Sequence, residues 1–195
     1  MRRKNEEKRE NIKQAVIKLI LDEGFHGASI SKIAREAGVS PATVYIYYES
    51  KDEMLREIYQ EYADQVYLYL LEQIDENMNG KQLIETIIKT YYSYIYEQDK
   101  VFYFVEQFSS CPSLVDKCRE TEGCFQVFSL FDDFKEKNII KKVDNVIIYS
   151  MLFYPVKCIA TRYFNQEREA ESALVELIEL LQDTLLCSGP DSGCD

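Results

Sequence analysis

The chain has 195 residues, with 23 Lys+Arg against 34 Asp+Glu and a formal charge of −11. At 46% hydrophobic and 29% charged it carries enough apolar material for a packed core, which argues against disorder and allows one large domain or two small ones. A charge of −11 speaks against nucleic acid, whose backbone is met by Lys and Arg, until the charges are located. Residues 1–56 hold 11 basic and 9 acidic side chains, or +2, and the remainder holds 12 and 25, or −13.

No uncharged run approaches the ~18 residues of a membrane span; the longest, Ala37–Tyr48 and Asn145–Val156, stop at 12. Arg2, Arg3 and Lys4 follow Met1 with no apolar stretch behind them, so no export signal is expected and the expected location is cytoplasmic. The six cysteines, Cys111, Cys118, Cys124, Cys158, Cys187 and Cys194, form no CxxC pair and read as reduced thiols. With His26 the only histidine, most His-based catalysis and His-rich zinc sites are excluded; no metal and no cofactor are expected.

Ile12, Ala15, Val16, Leu19 and Ile20 make one apolar stripe at helical spacing, and Gly24 is placed to end that first helix. Ser29 caps a short second helix that turns Ile33, Ala34 and Ala37 inward and stops at Gly38. Ser40-Pro41 reads as N-cap and first residue of a brief third helix with Val44 and Tyr48 on its inner side. Ser50 and Glu53 have capping-box spacing and open a fourth helix that runs to about Glu76, before a break at Asn79-Gly80. Further helices are expected at about 81–98, 100–110, 113–136, 144–164 and 168–187, with Pro155 kinking or ending the fourth of these. The expected fold is all-α.

Ser29 to Lys51, two short helices around a glycine turn, has the form of a helix-turn-helix whose second helix enters the major groove. Pro41, Ala42, Thr43, Tyr45 and Tyr47 face away from Val44 and Tyr48. Small side chains at the helix start let its backbone approach base edges. The Ala42 methyl can meet a thymine methyl, and the Thr43 hydroxyl can bond a base or phosphate. Ser40 and the neighbouring N–H groups suit a phosphate oxygen, the two tyrosines can donate to phosphates, and Lys51 adds charge in the same plane.

These residues, with Gly24-Phe25, Ile33-Ala34, Gly38-Val39-Ser40, Tyr45-Ile46-Tyr47-Tyr48 and Ser50-Lys51-Asp52-Glu53-Met54-Leu55, closely resemble the DNA-binding domain of the tetracycline-repressor family. Val44 stands where Leu is usual and Tyr48 where Phe is usual, both on the core side. The resemblance covers about the first quarter of the chain. It implies phosphate contacts at Ser29 or Ser31, Ser40, Tyr45, Tyr47 and Lys51, with base readout at Ala42, Thr43 and Ile46. For Arg2, Arg3 and Lys4 two readings stand: an arm into the minor groove, or a solubilising terminus.

Residues 57–195 hold 12 of the 15 tyrosines and nine of the ten phenylalanines. Most belong to a core, but so many hydroxyls need partners, and some suit a small-molecule pocket. The resemblance implies an inducer pocket, and Tyr92, Tyr96, Phe104, Phe128 and Tyr154 are its candidates for an apolar or aromatic ligand. The run Val146–Tyr154 has almost no polar face, and Leu174, Leu177, Ile178, Leu181 and Leu185 form a stripe, so the last two helices are expected to build a homodimer. The expected organisation is a DNA-binding domain over 1–51, a ligand-binding and dimerisation domain over 52–187 entered by a connecting helix at 52–77, and a flexible tail at 188–195. The expected function is a transcriptional regulator, a repressor released from a palindromic operator in double-stranded DNA by a small-molecule inducer, with no membrane partner and no catalytic residues. The competing readings are a carrier or enzyme using the aromatic residues, and a cysteine-based redox regulator.

Overall fold

The computed structural model describes residues 2–75, 77–109 and 121–187, and not the side chains of residues 2–4 and 109. Cys111, Cys118, Cys194, the first residues of the helix expected from 113, and the tail at 188–195 lie outside that description. The described residues form helices α1 (Arg2–Gly27), α2 (Ile30–Glu36), α3 (Pro41–Tyr47), α4 (Lys51–Leu71), α5 (Gly80–Glu97), α6 (Asp99–Ser109), α7 (Glu122–Glu136), α8 (Asn145–Arg162) and α9 (Glu167–Leu185). Extended pairing among them is limited to one isolated bridge, Ile140 to Leu186. No described helix is long and apolar enough to cross a membrane. Two compact units emerge: one from the described parts of Met1–Asp64 and Gln98–Thr121, the other from Gln65–Glu97 and Glu122–Asp195. The boundary anticipated at 51/52 therefore falls inside the first unit, and α6 belongs to that unit.

In the first unit the stripe Ile12, Ala15, Val16, Leu19 and Ile20 is buried. Gly24 interrupts α1 at φ 73, ψ 178, a backbone that side chains with a Cβ avoid. Rings close the core: Phe108 meets Phe25 edge-on at 4.4 Å and stacks on Tyr59 at 5.1 Å, and Phe104 lies 4.9 Å from Phe108 and 6.3 Å from Tyr62. A polar clasp joins α1 to the first half of α4. The buried Lys13 ammonium pairs with Glu61 and lies 3.4 Å from Glu10, and Gln14 Nε2 donates to the Tyr62 hydroxyl at 3.2 Å. Burial, then the carboxylates of Glu10 and Glu61, push the Tyr62 hydroxyl far above the usual tyrosine range, so it stays a donor, to Glu10 at 3.4 Å. A lone buried ammonium would be costly; the paired carboxylates make it tolerable.

In the second unit α5, α8 and α9 pack on one another, and α7 joins α8. Asn79, expected only as a breaker, is the N-cap of α5. Its Oδ1 accepts from Gln82 N, and Gln82 Oε1 accepts from Asn79 N, both at 3.0 Å, a reciprocal capping box. Gly80 is buried, and a Cβ there would sit 2.4 Å from Leu186 Cδ2 and 2.8 Å from Ile139 Cγ2. Gly80→Ala is therefore expected to lower stability by about 1–2 kcal/mol, overpacking outweighing the better helix propensity of alanine. A urea titration checks this; an unchanged or raised midpoint would show that Leu186 simply moves aside.

Two expectations fail here. Helix α4 ends at Leu71 rather than near Glu76. Helix α8 does not end at Pro155 but continues to Arg162. Phe153 and Val156 flank the proline at 1% and 0% exposure, and their burial outweighs one missing backbone hydrogen bond. Val146, Ile147 and Tyr154 of α8, and Val175 and Leu180 of α9, remain exposed in the single chain.

Candidate nucleic-acid interface

Local chemistry builds the first unit's two short helices. Ser29 Oγ accepts from Lys32 N at 3.3 Å to start α2, and Ser40 Oγ accepts from Thr43 N at 3.1 Å to start α3, with Pro41 first in the helix. Between them Gly38 adopts φ +67, the left-handed turn conformation that glycine takes without strain. At the far end of α3, Glu53 N donates to Ser50 Oγ at 3.1 Å. The Glu53 carboxylate accepts from Glu49 N rather than from the Ser50 amide, so the box is one residue wider than expected.

Val44 is fully buried and Tyr48 nearly so, which fixes α3 from behind. Ser40, Pro41, Ala42, Tyr45 and Ile46 are consequently exposed, Tyr45 at 55% and Ile46 at 77%. Thr43 is half-buried, its hydroxyl 2.9 Å from Ser40 Oγ. Ser29 and Ser31 are exposed at the start of α2. The remaining two expected contacts have internal partners. Lys51 Nζ donates to the Phe25 carbonyl at 2.8 Å, which leaves two of its three protons. Tyr47 donates to the Asn5 carbonyl at 3.1 Å, with Asn5 Oδ1 at 3.3 Å.

Ion pairs quench much of the unit's positive charge. Lys18 pairs with Glu36 and Lys32 with Glu23, each at 2.5 Å, and Arg9 reaches Glu57 at 3.6 Å. The hydrogen bond and charge of Glu36 hold the Lys18 ammonium above the usual lysine range. Arg35, in the last turn of α2, is exposed and makes no ion pair among the described residues. Sequence reasoning passed it over, because only the fold reveals that neighbouring lysines are paired and this arginine is not.

The five ligand-site candidates are divided between the two units. Phe104 is fully buried in the first unit's core. The others lie in the second unit, where Tyr96 and Tyr154 are 59% and 56% exposed. Tyr92 is half-buried, and burial, then Tyr96 and Glu167, raise its hydroxyl above the usual range. Phe128 lies 6.2 Å from Tyr149, which in turn stacks on Phe153 at 4.4 Å and lies 6.5 Å from Tyr154. Tyr67 and Tyr149 share a hydroxyl–hydroxyl hydrogen bond of 3.1 Å, and Tyr91 meets Phe153 at 4.8 Å. This ring cluster was missed because Tyr67 sits 82 residues from Tyr149. Tyr94 carries a buried hydroxyl with no partner among the described residues, and burial pushes it up to about 12.

Residues 12–58 match the family model for bacterial regulatory proteins of the tetR family. The fatty acid metabolism regulator protein of Bacillus subtilis is 30% identical over 79 residues, 40% of this chain. The aligned stretch spans only 41% of that relative's length. A TetR family transcription regulator from Marinobacter aquaeolei superposes with a TM-score of 0.82 at 23% identity, covering 96% of this chain and all of that one. The Bacillus subtilis regulator FadR, solved with stearoyl-CoA, superposes with a TM-score of 0.68 at 23% identity, covering 88% of this chain and 96% of its own. Both likenesses are of fold.

Proposed function

We propose that the chain, whose residues 12–58 match the family model for bacterial regulatory proteins of the tetR family, is a ligand-responsive transcriptional regulator, a repressor that leaves a palindromic operator when a small molecule binds. The observation that carries this reading is the outer side of α3. A seven-residue helix pinned by Val44 and Tyr48 exposes Pro41, Ala42, Tyr45 and Ile46, an apolar set that a solvated surface has no use for. Against a major groove the same groups meet thymine methyls and let the helix approach closely. Ser29, Ser31 and Ser40 can donate hydroxyl protons to phosphates.

If Ser40 gives its proton to a phosphate, the 2.9 Å contact must be donated by Thr43, whose oxygen then faces the bases as an acceptor. In that state Thr43 suits the amino group of adenine or cytosine. A homodimer through α8 and α9 would bury the exposed Ile147, Tyr154, Val175 and Leu180 and place two α3 helices on two half-sites. For the inducer, the second unit's rings suit an apolar or aromatic body, and the Tyr94 hydroxyl lacks an acceptor among the described residues. Phe128 and Tyr154, beside Tyr149, are the first lining residues to probe, with Tyr92 and Tyr96 after them, and a long acyl thioester is a suitable first ligand.

The experiment is fluorescence anisotropy with a duplex selected from a random library, over a series of salt concentrations. Lys51→Ala is expected to weaken binding and to lower the slope of log K against log salt by about one per half-site, the change that follows when one phosphate goes unneutralised. A thermal melt run alongside accounts for loss of the hydrogen bond to Phe25. An unchanged slope would remove Lys51 from the interface, and selection of no duplex would sink the regulator reading.

A further inference from the structure

We infer that Arg35 is a DNA-contacting residue: its guanidinium, beside the Ser31 hydroxyl one turn before it, binds the phosphate backbone next to the half-site met by α3. The inference rests on the regulator reading above. It adds a cation to the interface that neither the helix-turn-helix pattern nor the resemblance assigns.

The sides of α2 are committed in different ways. Ile33 and Ala34, with the cap residue Ala37, are buried and hold the helix to the core. A second side faces α1, where Lys32 pairs with Glu23 and Glu36 with Lys18. Ser31 and Arg35 are left, and both are exposed. Four residues of helix set them about 40° apart in direction and about 6 Å apart along the axis. Helical side chains lean toward the N-terminus of their helix, so the arginine reaches back over the turn that holds Ser31. A hydroxyl donor and a charged donor thus share one patch, and a phosphodiester offers only acceptors.

Nothing within α2 competes for this charge. The positions three and four residues from Arg35 are Ser31, Lys32, Gly38 and Val39, none of them acidic. Elsewhere in the unit Arg9, Lys13, Lys18 and Lys32 are engaged in ion pairs, and Lys51 gives one proton to the Phe25 carbonyl. The hydroxyls of Ser29, Ser31 and Ser40 can orient a phosphate, but they are neutral and release no counterion. A guanidinium supplies the charge and can hold two phosphate oxygens at once. A basic residue in the last turn of a helix also favours the helix dipole. That role would show in thermal stability, whereas a phosphate contact shows in the response to salt.

The test follows binding of the full chain to a duplex that the wild-type protein enriches from a random library, over a salt series and beside a thermal melt. Arg35→Gln keeps much of the length and removes the charge. It is expected to weaken binding and to lower the slope of log K against log salt by roughly 0.9 for each half-site. Arg35→Lys returns the charge and should return the slope, at lower affinity, because an ammonium lacks the two-pronged grip. Lys89→Gln, which removes a cation of the second unit, is the control and should bind like the wild type. An unchanged slope in Arg35→Gln would overturn this inference alone, and a lowered melting temperature beside it would leave Arg35 the helix dipole only. Failure of Arg35→Lys to return the slope would overturn it too. So would an equal fall in Lys89→Gln, which would mean a response to net charge. If the wild type enriches no duplex, the regulator reading falls and this inference with it.

Discussion

Phe104→Ala is expected to cost roughly 3–5 kcal/mol of folding stability, the usual penalty for deleting a buried phenyl ring. The ring is fully buried, packs at 4.9 Å from Phe108 and meets Tyr62 edge-on. Its removal opens a cavity that α1 and α6 cannot both close, because Phe108 is already committed to Phe25 and Tyr59. Against a total stability of about 5–15 kcal/mol, such a loss removes between about a fifth and all of it. Phe104→Leu, which keeps most of the volume, should cost roughly 1–1.5 kcal/mol. Chemical denaturation of both variants measures the difference. A loss below about 1 kcal/mol for the alanine variant, together with an altered response to ligands, would return Phe104 to the binding site that sequence reasoning assigned it.

Ala42→Glu should move two measurements in opposite directions. Ala42 is the second residue of α3 and is exposed, so a larger side chain meets no packed neighbour. A carboxylate in the first turn of a helix is favourable, by about 0.3–1 kcal/mol, so the melting temperature should hold or rise slightly. DNA affinity should fall on the order of a hundredfold or more, since a like charge set into the interface costs several kcal/mol. Stability and affinity falling together would mean that the substitution damages the fold; neither changing would place α3 away from the DNA.

The contrast between these two positions reflects what a sequence can carry. The fold class, the helix-turn-helix and most helix ends are written in residues three or four apart. Ser29 with Lys32, Ser40 with Thr43, and Ser50 with Glu53 each satisfy a backbone amide one turn away, and Gly38 needs no distant partner to adopt a positive φ. The exposed side of α3 follows from Val44 alone, since burying one side of so short a helix exposes the other. Asn79 shows the same grammar, misread only because a cap and a breaker share a composition.

What the tertiary structure decided depends on partners far along the chain. Pro155 was expected to kink or end its helix; the helix runs on to Arg162, because burial of Phe153 and Val156 in the second unit outweighs the local penalty. The burial of Phe104 in the first unit's core was not legible either, since an amphipathic aromatic helix reads the same whether its rings face ligand or core. The proton of Tyr47 was committed by Asn5, 42 residues away, and the charge of Lys18 by Glu36. The sequence by itself determined that a +2 head folds into paired short helices and that a −13 remainder follows it. Which of the head's cations and hydroxyls remain free for DNA was decided by folding, because a hydrogen bond or ion pair is a property of two groups and only the fold brings the second one near.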